Sequence, residues 1–336
     1  MLIEDGNNIY VVTSGNLIKS GKLPNKNYIV QYSESRGYFL TKTKEFKMPL
    51  VMYGNPMEQA TLVKERFSAH KKNLGVLLSG LKGSGKTLLS KLICQEVGLP
   101  VLIIESKMEG AGLSTFLNAF DQELVVFVDE LEKIYDIESQ EQFLSILDGV
   151  FATKKLFIFT TNTKQINEFL RTRPSRIHYH FDFSMVEEVL IDEVIADLLE
   201  DQSYKAELKE IINVLSYVSY DSLISLIEEI NFTKKSPKEC LFTMNISVEN
   251  RDFDVWASID GKVYNTKIGY NPLISKYLQF SYESKEKGWG YFREEVSQME
   301  YTVDERVYEF VTRSGNKIKC TPTISEEEGF RRALNS

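Results

Sequence analysis

The chain is 336 residues long and carries 40 Lys and Arg against 48 Asp and Glu, a formal net charge of −8. Its 43% hydrophobic and 26% charged content is that of a soluble globular protein, its length suits two or three domains, and only the last few residues look disordered. The acidic balance also argues against a surface that binds nucleic acid everywhere, although a local basic patch is compatible with it.

The first stretch, 1–48, reads as a small β module. Ile9–Val12, Tyr28–Tyr32 and Tyr38–Lys42 are rich in aromatic and β-branched residues and are bounded by Gly, Asn, Ser or Pro. A helix is expected over Pro56–Lys71, preceded by Met52, Tyr53 and Gly54. An apolar run, Leu74–Ser79, then leads into Gly80-Leu81-Lys82-Gly83-Ser84-Gly85-Lys86-Thr87, followed by Leu88 and a helically spaced run to Cys94. This strand, glycine loop and helix are a phosphate cradle. Glycines let backbone N–H groups turn inward, the helix N-terminus adds positive partial charge, and Lys86 adds a full charge. Thr87 offers a hydroxyl to a Mg²⁺ ion.

Strand and helix alternate beyond the loop, the pattern of an α/β core with a parallel sheet. Pro100–Glu105 is the second core strand, and a loop at Ser106–Gly112 leads to a helix ending near Phe120. The apolar run Leu124–Val128 ends in Asp129 and Glu130. Carboxylates there face the crevice where such sheets bind ligands. Asp129 suits a role in holding Mg²⁺, and Glu130 one in polarising an attacking water. A helix over 140–151 precedes the strand Lys155–Asn162, where Asn162 suits orientation of that water. A further helix and Arg171–Ile177, with Arg173 and Arg176 flanking Pro174, close the core near Phe183. An arginine reaching a neighbouring subunit's γ-phosphate would stabilise transition-state charge.

Residues 185–236 have helical periodicity, with Asp221 a candidate cap for the helix Ser222–Ile230. From Leu241 the period switches to two, and a β-rich domain is expected over 237–336, with hairpins at Asp260-Gly261 and Ser314–Asn316. Its aromatics Trp256, Tyr264, Tyr270, Trp289, Tyr291 and Phe292 serve either core packing or a binding surface. Cys94, Cys240 and Cys320 lie far apart without C-x-x-C spacing. They read as free or buried thiols in a reducing compartment. With no basic leader at Met1–Asp5 and no apolar run of about 18 residues, a cytoplasmic protein without membrane spans is expected.

The glycine loop, Val128-Asp129-Glu130, Phe159-Thr160-Thr161-Asn162 and Arg173-Pro174-Ser175-Arg176, together with Phe143–Val150, resemble the AAA+ ATPases. The AAA clade is the nearest match, and within it the mitochondrial Bcs-type and bacteriophage-encoded proteins. The resemblance covers about 50–232. It implies an α/β P-loop core at 49–184, a helical lid at 185–236, ATP and Mg²⁺ as cofactors, and a homo-oligomeric ring, usually a hexamer. It implies that Arg173 and Arg176 act in trans and that a pore loop follows the second core strand. Tyr53 and Gly54 lie at the distance from the loop at which relatives hold adenine; an aromatic at a domain junction equally serves packing. Where many relatives carry a pore-loop aromatic, this chain has Met108, flexible and apolar enough to touch an unfolded chain.

These features point to ATP-driven remodelling of a protein substrate, in a chaperone-like role. Two alternatives stay open. One is a DNA- or RNA-associated machine, with Lys42, Lys44, Lys47, Lys71, Lys72 and Lys107 lining a basic channel. The other is an ATP-gated structural ring.

Overall fold

The computed structural model describes residues 2–11, 22–149, 151–163, 166–167, 170, 173–183, 186, 188–215, 218–244, 246, 251–259, 261–284, 288–302 and 307–323. The helix expected just after Asn162, and the positions of Val12, Val150, Arg171, Thr172, Met185, Asp260 and the last residues of the chain, lie outside them at least in part. Two compact units divide the chain, Met1–Glu193 and Val194–Ser336.

The first unit is built on a nine-stranded mixed sheet. Four strands come from the N-terminal stretch: β1 (Leu2–Asp5), β2 (Asn8–Val11), β3 (Asn27–Ser33) and β4 (Gly37–Lys42). Five come from the α/β region: β5 (Leu74–Gly80), β6 (Val101–Ile103), β7 (Leu124–Val128), β8 (Lys155–Thr161) and β9 (Ile177–Phe183). The spatial order is β1-β2-β4-β3-β6-β7-β8-β5-β9. The five core strands run parallel to one another, and β3 joins them through a parallel pairing with β6 from Asn27↔Val101 to Ile29↔Ile103. The N-terminal strands, expected as a module of their own, are thus hydrogen-bonded into the core sheet. Two strands, β1 and β9, have no counterpart in the sequence reading.

Helices cover both faces. On one side are α1 (Pro56–Ala69) and α2 (Lys86–Val97), and on the other α3 (Gly110–Asn118), the short α4 (Leu131–Ile134) and α5 (Gln142–Leu147). The alternation of side chains along each strand sorts the core into two clusters. Val125, Phe127, Leu156 and Ile158 pack with the α1 and α2 residues Val63, Phe67, Leu89 and Ile93. Val126, Val128, Phe157 and Phe159 pack with Leu113, Leu117, Phe143 and Ile146. Because the period is two, Asp129 and Thr160 fall on the α2 side, and that decides which groups meet at the site.

Met108 belongs to the second cluster and is 4% exposed. The segment after β6 tucks it under α3, where its N–H donates to the Tyr135 hydroxyl (3.1 Å). The residues this segment presents to solvent include Glu105, Ser106, Lys107 and Glu109. The expected grip by Met108 on an unfolded chain is therefore not offered in this conformation, because burying a thioether is favourable and an apolar pocket is at hand.

Lys155, at the start of β8, is fully buried. Its ammonium donates to Phe120 O (2.9 Å), Gln122 O (2.7 Å) and Thr153 Oγ1 (2.7 Å), closing the turn between α3 and β7. Burial pushes this lysine down to about 8, below the ordinary value of about 10.4. Between those values the unfolded chain binds the extra proton, so stability rises with pH across that window, by about 3 kcal/mol at most. Urea melts at pH 7.5 and pH 10 should show the rise in the native protein and lose it in Lys155→Met. That variant should itself be less stable by about 2 kcal/mol at pH 10, since two buried carbonyls lose their donor. An unchanged pH slope in the variant would remove Lys155 as the cause.

Among the described residues the second unit holds the remainder of α6 (Glu188–Leu198), then the α-helices α7 (Lys205–Val214), α8 (Tyr220–Thr233) and α9 (Pro237–Thr243). Ser219, not Asp221, caps α8, its side chain accepting from Ser222 N–H. Asp221 sits in the first turn, where its charge suits the helix dipole. A capping box, Ser236 with Glu239, starts α9, which the sequence reading placed in the β domain.

Six antiparallel strands follow: β10 (Arg251–Ile259), β11 (Lys262–Tyr270), β12 (Tyr277–Ser284), β13 (Gly288–Thr302), β14 (Val307–Thr312) and β15 (Lys317–Pro322). Their order is β11-β10-β15-β14-β13-β12. The two outer strands approach each other, with Thr266 Oγ1 donating to Ser281 O (3.0 Å) and the Tyr264 and Tyr282 rings 4.3 Å apart. The sheet thus curls towards a barrel. Tyr270 and Phe292 are core residues, whereas Trp256, Trp289 and Tyr291 are exposed. All three cysteines are buried and free. Among the described residues no helix is long and apolar enough to cross a membrane.

Candidate nucleotide site

The glycine loop joins β5 to α2. Gly80, Gly83 and Gly85 all adopt positive φ (140°, 75° and 99°). At Gly80 the restriction is twofold, since a Cβ there would lie 2.2 Å from the carbonyl carbon of Phe183 on β9. Leu81 N–H donates to Phe183 O (3.2 Å), which holds the loop against the end of β9. Ser84 Oγ donates to Leu81 O (2.6 Å). Lys86 opens α2, and its side chain turns back over the loop. The ammonium donates to Gly80 O (2.9 Å), to Leu81 O and to Ser84 Oγ (3.4 Å). Burial lowers its pKa, opposed by the charges of Glu132, Asp129 and Glu130. Lys82 and Gly83 are exposed, and Leu88 lies half-buried in the first turn of α2.

The acidic end of β7 meets this loop from the next strand but one. Thr87 Oγ1 donates to Asp129 Oδ1 (3.1 Å). From β8, Thr160 Oγ1 donates to the same oxygen (2.6 Å) and accepts from Glu130 N–H (2.8 Å). Glu130 itself has φ +53°, the left-handed region that costs a residue with a Cβ about 1–2 kcal/mol. That turn re-aims its side chain. Glu130 Oε1 accepts from Asn162 Nδ2 (2.8 Å), and Oε2 pairs with Lys133 (2.5 Å). The Lys133 bond is the larger cause, ahead of Asn162, of a carboxyl held below the ordinary glutamate value. Asn162 also binds Glu132 Oε1 through both its backbone N–H (3.1 Å) and its side-chain amide (3.0 Å).

Eight of the expected residues are thus gathered: Gly80, Leu81, Ser84 and Lys86 form one set of contacts, and Thr87, Asp129, Glu130 and Asn162 a second, linked through Thr160, the two joined by the Lys86–Thr87 peptide. Thr160, Glu132 and Lys133 join them and were not singled out from the sequence. Thr160 was legible in principle, being two residues before Asn162 on the same strand face.

Arg173 and Arg176 stand elsewhere. Ile177 pairs with Gly75 at the start of β5, and the Arg176 carbonyl lies where a Cβ on Gly75 would be 2.2 Å away. The glycine loop leaves the other end of β5. At about 3.3 Å per residue the two ends are roughly 16 Å apart, farther than an arginine side chain extends. Arg176 donates to Asp148 through Nε (2.9 Å to Oδ2) and Nη2 (2.5 Å), and this contact lowers the Asp148 pKa. The Arg173 residue is exposed.

Tyr53 is half-buried, and Gly54 takes φ +71°. Gly54 N–H donates to Glu193 Oε2 (3.0 Å), and the Leu190 side chain lies beside it. This tie links the stretch before α1 to the start of α6.

The chemistry of this set is that of a phosphate cradle bordered by a hydroxyl–carboxylate pair and a second carboxylate held by an amide. Residues 76–185 match the family model "ATPase family associated with various cellular activities (AAA)". Protein mac-1 of Caenorhabditis elegans is 30% identical over 137 residues, covering 34% of this chain and 17% of that protein. The ATP-dependent zinc metalloprotease FtsH 1 of Thermomicrobium roseum is 30% identical over 138 residues, 33% of this chain and 21% of its own length. The chain therefore spans about a fifth of the curated relatives it matches. Among solved structures, the Thermotoga maritima RuvB Holliday junction branch migration motor aligns at TM-score 0.39 and 17% identity, over 58% of this chain and 71% of that one.

Proposed function

With an AAA ATPase domain at 76–185, a P-loop enzyme class that hydrolyses ATP, we propose that this chain assembles into a ring, a hexamer in the usual case, that couples ATP hydrolysis to remodelling of a protein substrate. The observation that carries the reading is the contact set Thr87–Asp129–Thr160 beside Glu130–Asn162. It supports a reading in which a phosphate-binding loop and a water-polarising carboxylate share one crevice.

In this reading the N–H groups of 80–88 and the Lys86 ammonium bind the β- and γ-phosphates. The Thr87 hydroxyl and the Asp129 carboxylate are hard oxygen donors 3.1 Å apart, a pair that suits Mg²⁺. When bound, that ion neutralises charge building on the phosphates. Glu130 orients the attacking water and draws off its proton, and Asn162 fixes the carboxylate that does so. Tyr53 and Gly54 border the adenine.

Arginine 173 and Arg176 complete a neighbour's site, because neither reaches the loop of its own chain. Arg173 is the better placed to touch phosphate, since Arg176 is engaged by Asp148. Completion in trans is what makes an oligomer necessary for turnover.

A protein target is favoured over nucleic acid by the net charge of −8. The curated relatives named as ATP-dependent metalloproteases point the same way. Lys107, the basic-channel candidate in the segment after β6, is ion-paired with Asp136 at 3.0 Å.

The test is ATP turnover measured against protein concentration, with and without single-stranded DNA or an unfolded protein. Turnover per subunit should rise with concentration and be stimulated by the polypeptide. Stimulation by DNA that fades at high salt would move the assignment to a nucleic-acid machine. Flat, unstimulated turnover would leave a gated structural ring.

A further inference from the structure

Thr160 takes no part in the roles assigned above, yet its hydroxyl touches both Asp129 and Glu130. It is fully buried on β8. The register of β7 and β8 pairs Val128 with Phe159, which sets Thr160 directly beside Asp129 on the α2 side. The hydroxyl donates to Asp129 Oδ1 (2.6 Å) and accepts from Glu130 N–H (2.8 Å), so both its functions are used at once. Each contact answers a specific need. The Glu130 backbone is held at φ +53°, a conformation that persists only where surrounding groups enforce it. Asp129 accepts from Thr87 through the same oxygen, Oδ1 (3.1 Å), so the Thr160 bond fixes the rotamer that keeps the carboxylate facing α2.

We infer that Thr160 is a positioning residue for the hydrolytic site: its hydroxyl sets the Asp129 carboxylate and the strained Glu130 turn in one geometry, acting on turnover and not on nucleotide affinity. The inference rests on the ATP-hydrolysing reading of the site. The shape of the residue matters less than its hydroxyl. Valine fills the same space on a buried strand but leaves Glu130 N–H without an acceptor and Asp129 Oδ1 without its shortest donor. Serine keeps both bonds.

The experiment compares the full chain with Thr160→Val and Thr160→Ser. Steady-state ATPase kinetics should show kcat lowered about 10–100-fold in the valine variant with KM within about threefold, because interactions lost only along the reaction lower kcat. The serine variant should recover to within about threefold of the native kcat. A second readout uses protein free of nucleotide and metal. Hydrogen exchange in the peptide containing Val128–Leu131 should speed up at least tenfold in Thr160→Val and stay native in Thr160→Ser. A valine variant with native kcat and native exchange overturns the inference. So does one whose loss is wholly in KM, or a serine variant as impaired as valine. If valine prevents folding, the serine variant decides alone: native kcat and exchange support the role, and a lowered kcat in a stably folded serine variant overturns it. Absence of turnover in the native protein sinks the ATPase reading itself, whereas native turnover with an indifferent Thr160→Val sinks only this inference.

Discussion

Glu130→Gln binds ATP as the native chain does and turns it over about 10²–10⁴-fold more slowly, the range a positioned general base contributes. The physical reason is the division of labour at the site. In the proposed reading phosphate affinity resides in the loop N–H groups and Lys86, none of which hydrogen-bonds the Glu130 side chain. Glutamine keeps the size of the side chain and an oxygen able to accept from Asn162 Nδ2, so the 2.8 Å contact survives. What disappears is the negative charge that attracts a proton from water. The Glu130 carboxyl is held below its ordinary value by Lys133 and Asn162. A lowered folded value keeps it ionised at every pH above the usual glutamate range of about 4.3. No limb of the pH–rate profile between pH 6 and 8 should therefore come from this group. Fluorescent-nucleotide binding beside steady-state hydrolysis checks both halves. Native turnover in the variant would take Glu130 out of the chemistry, and lost affinity would mean it shapes the pocket.

The second large effect concerns Arg173. Arg173→Ala should lower kcat about 10³-fold, near the lower end of what a charge-stabilising arginine supplies at a phosphoryl centre. The decisive result comes from mixing. Lys86→Ala removes the cradle's charge but leaves Arg173 in place, while Arg173→Ala leaves the cradle intact. Each alone should be nearly inactive. Mixed under conditions that allow subunit exchange, they should regain measurable turnover, because a Lys86→Ala subunit lends its arginine to the neighbour. A mixture no more active than the sum of its parts would mean that the arginine does not act between chains. Arg176→Ala should differ in kind. Arg176 makes a charge-assisted fork to Asp148 with its Nε and Nη2, so its loss should also loosen the 173–176 turn, whose backbone bond runs from Arg176 N to Arg173 O (2.9 Å). A lower melting temperature for Arg176→Ala than for Arg173→Ala would express that difference.

The sequence alone carried the chemistry that depends on short spacing. The glycine loop between an apolar strand and an amphipathic helix, the acidic pair ending β7 and the amide ending β8 are local patterns. Each is defined by residues a few positions apart whose backbone geometry their own composition dictates. The switch from a period of 3.6 to one of two from Leu241 likewise carried the helices and the β-rich end, although the domain boundary drawn at 237 cut off the helix Pro237–Thr243. Tertiary structure decided what depends on neighbours remote in sequence. Whether β3 ends a small module or pairs with β6 is a question of which sheet edge is open, and a strand's own residues do not record its partner. The β9 strand alternates Ile177, Tyr179, Phe181 and Phe183 with His178, His180 and Asp182, a period of two that the sequence does carry, whereas its place at the sheet edge beside β5 depends on pairing remote in sequence. Met108 looked available because its exposure is set by Tyr135 and α3, not by its flanking lysine and glutamate. Thr160 became visible only when register placed it between Asp129 and Glu130, since hydrogen bonds between strands form across some thirty residues of chain and leave no mark in local composition.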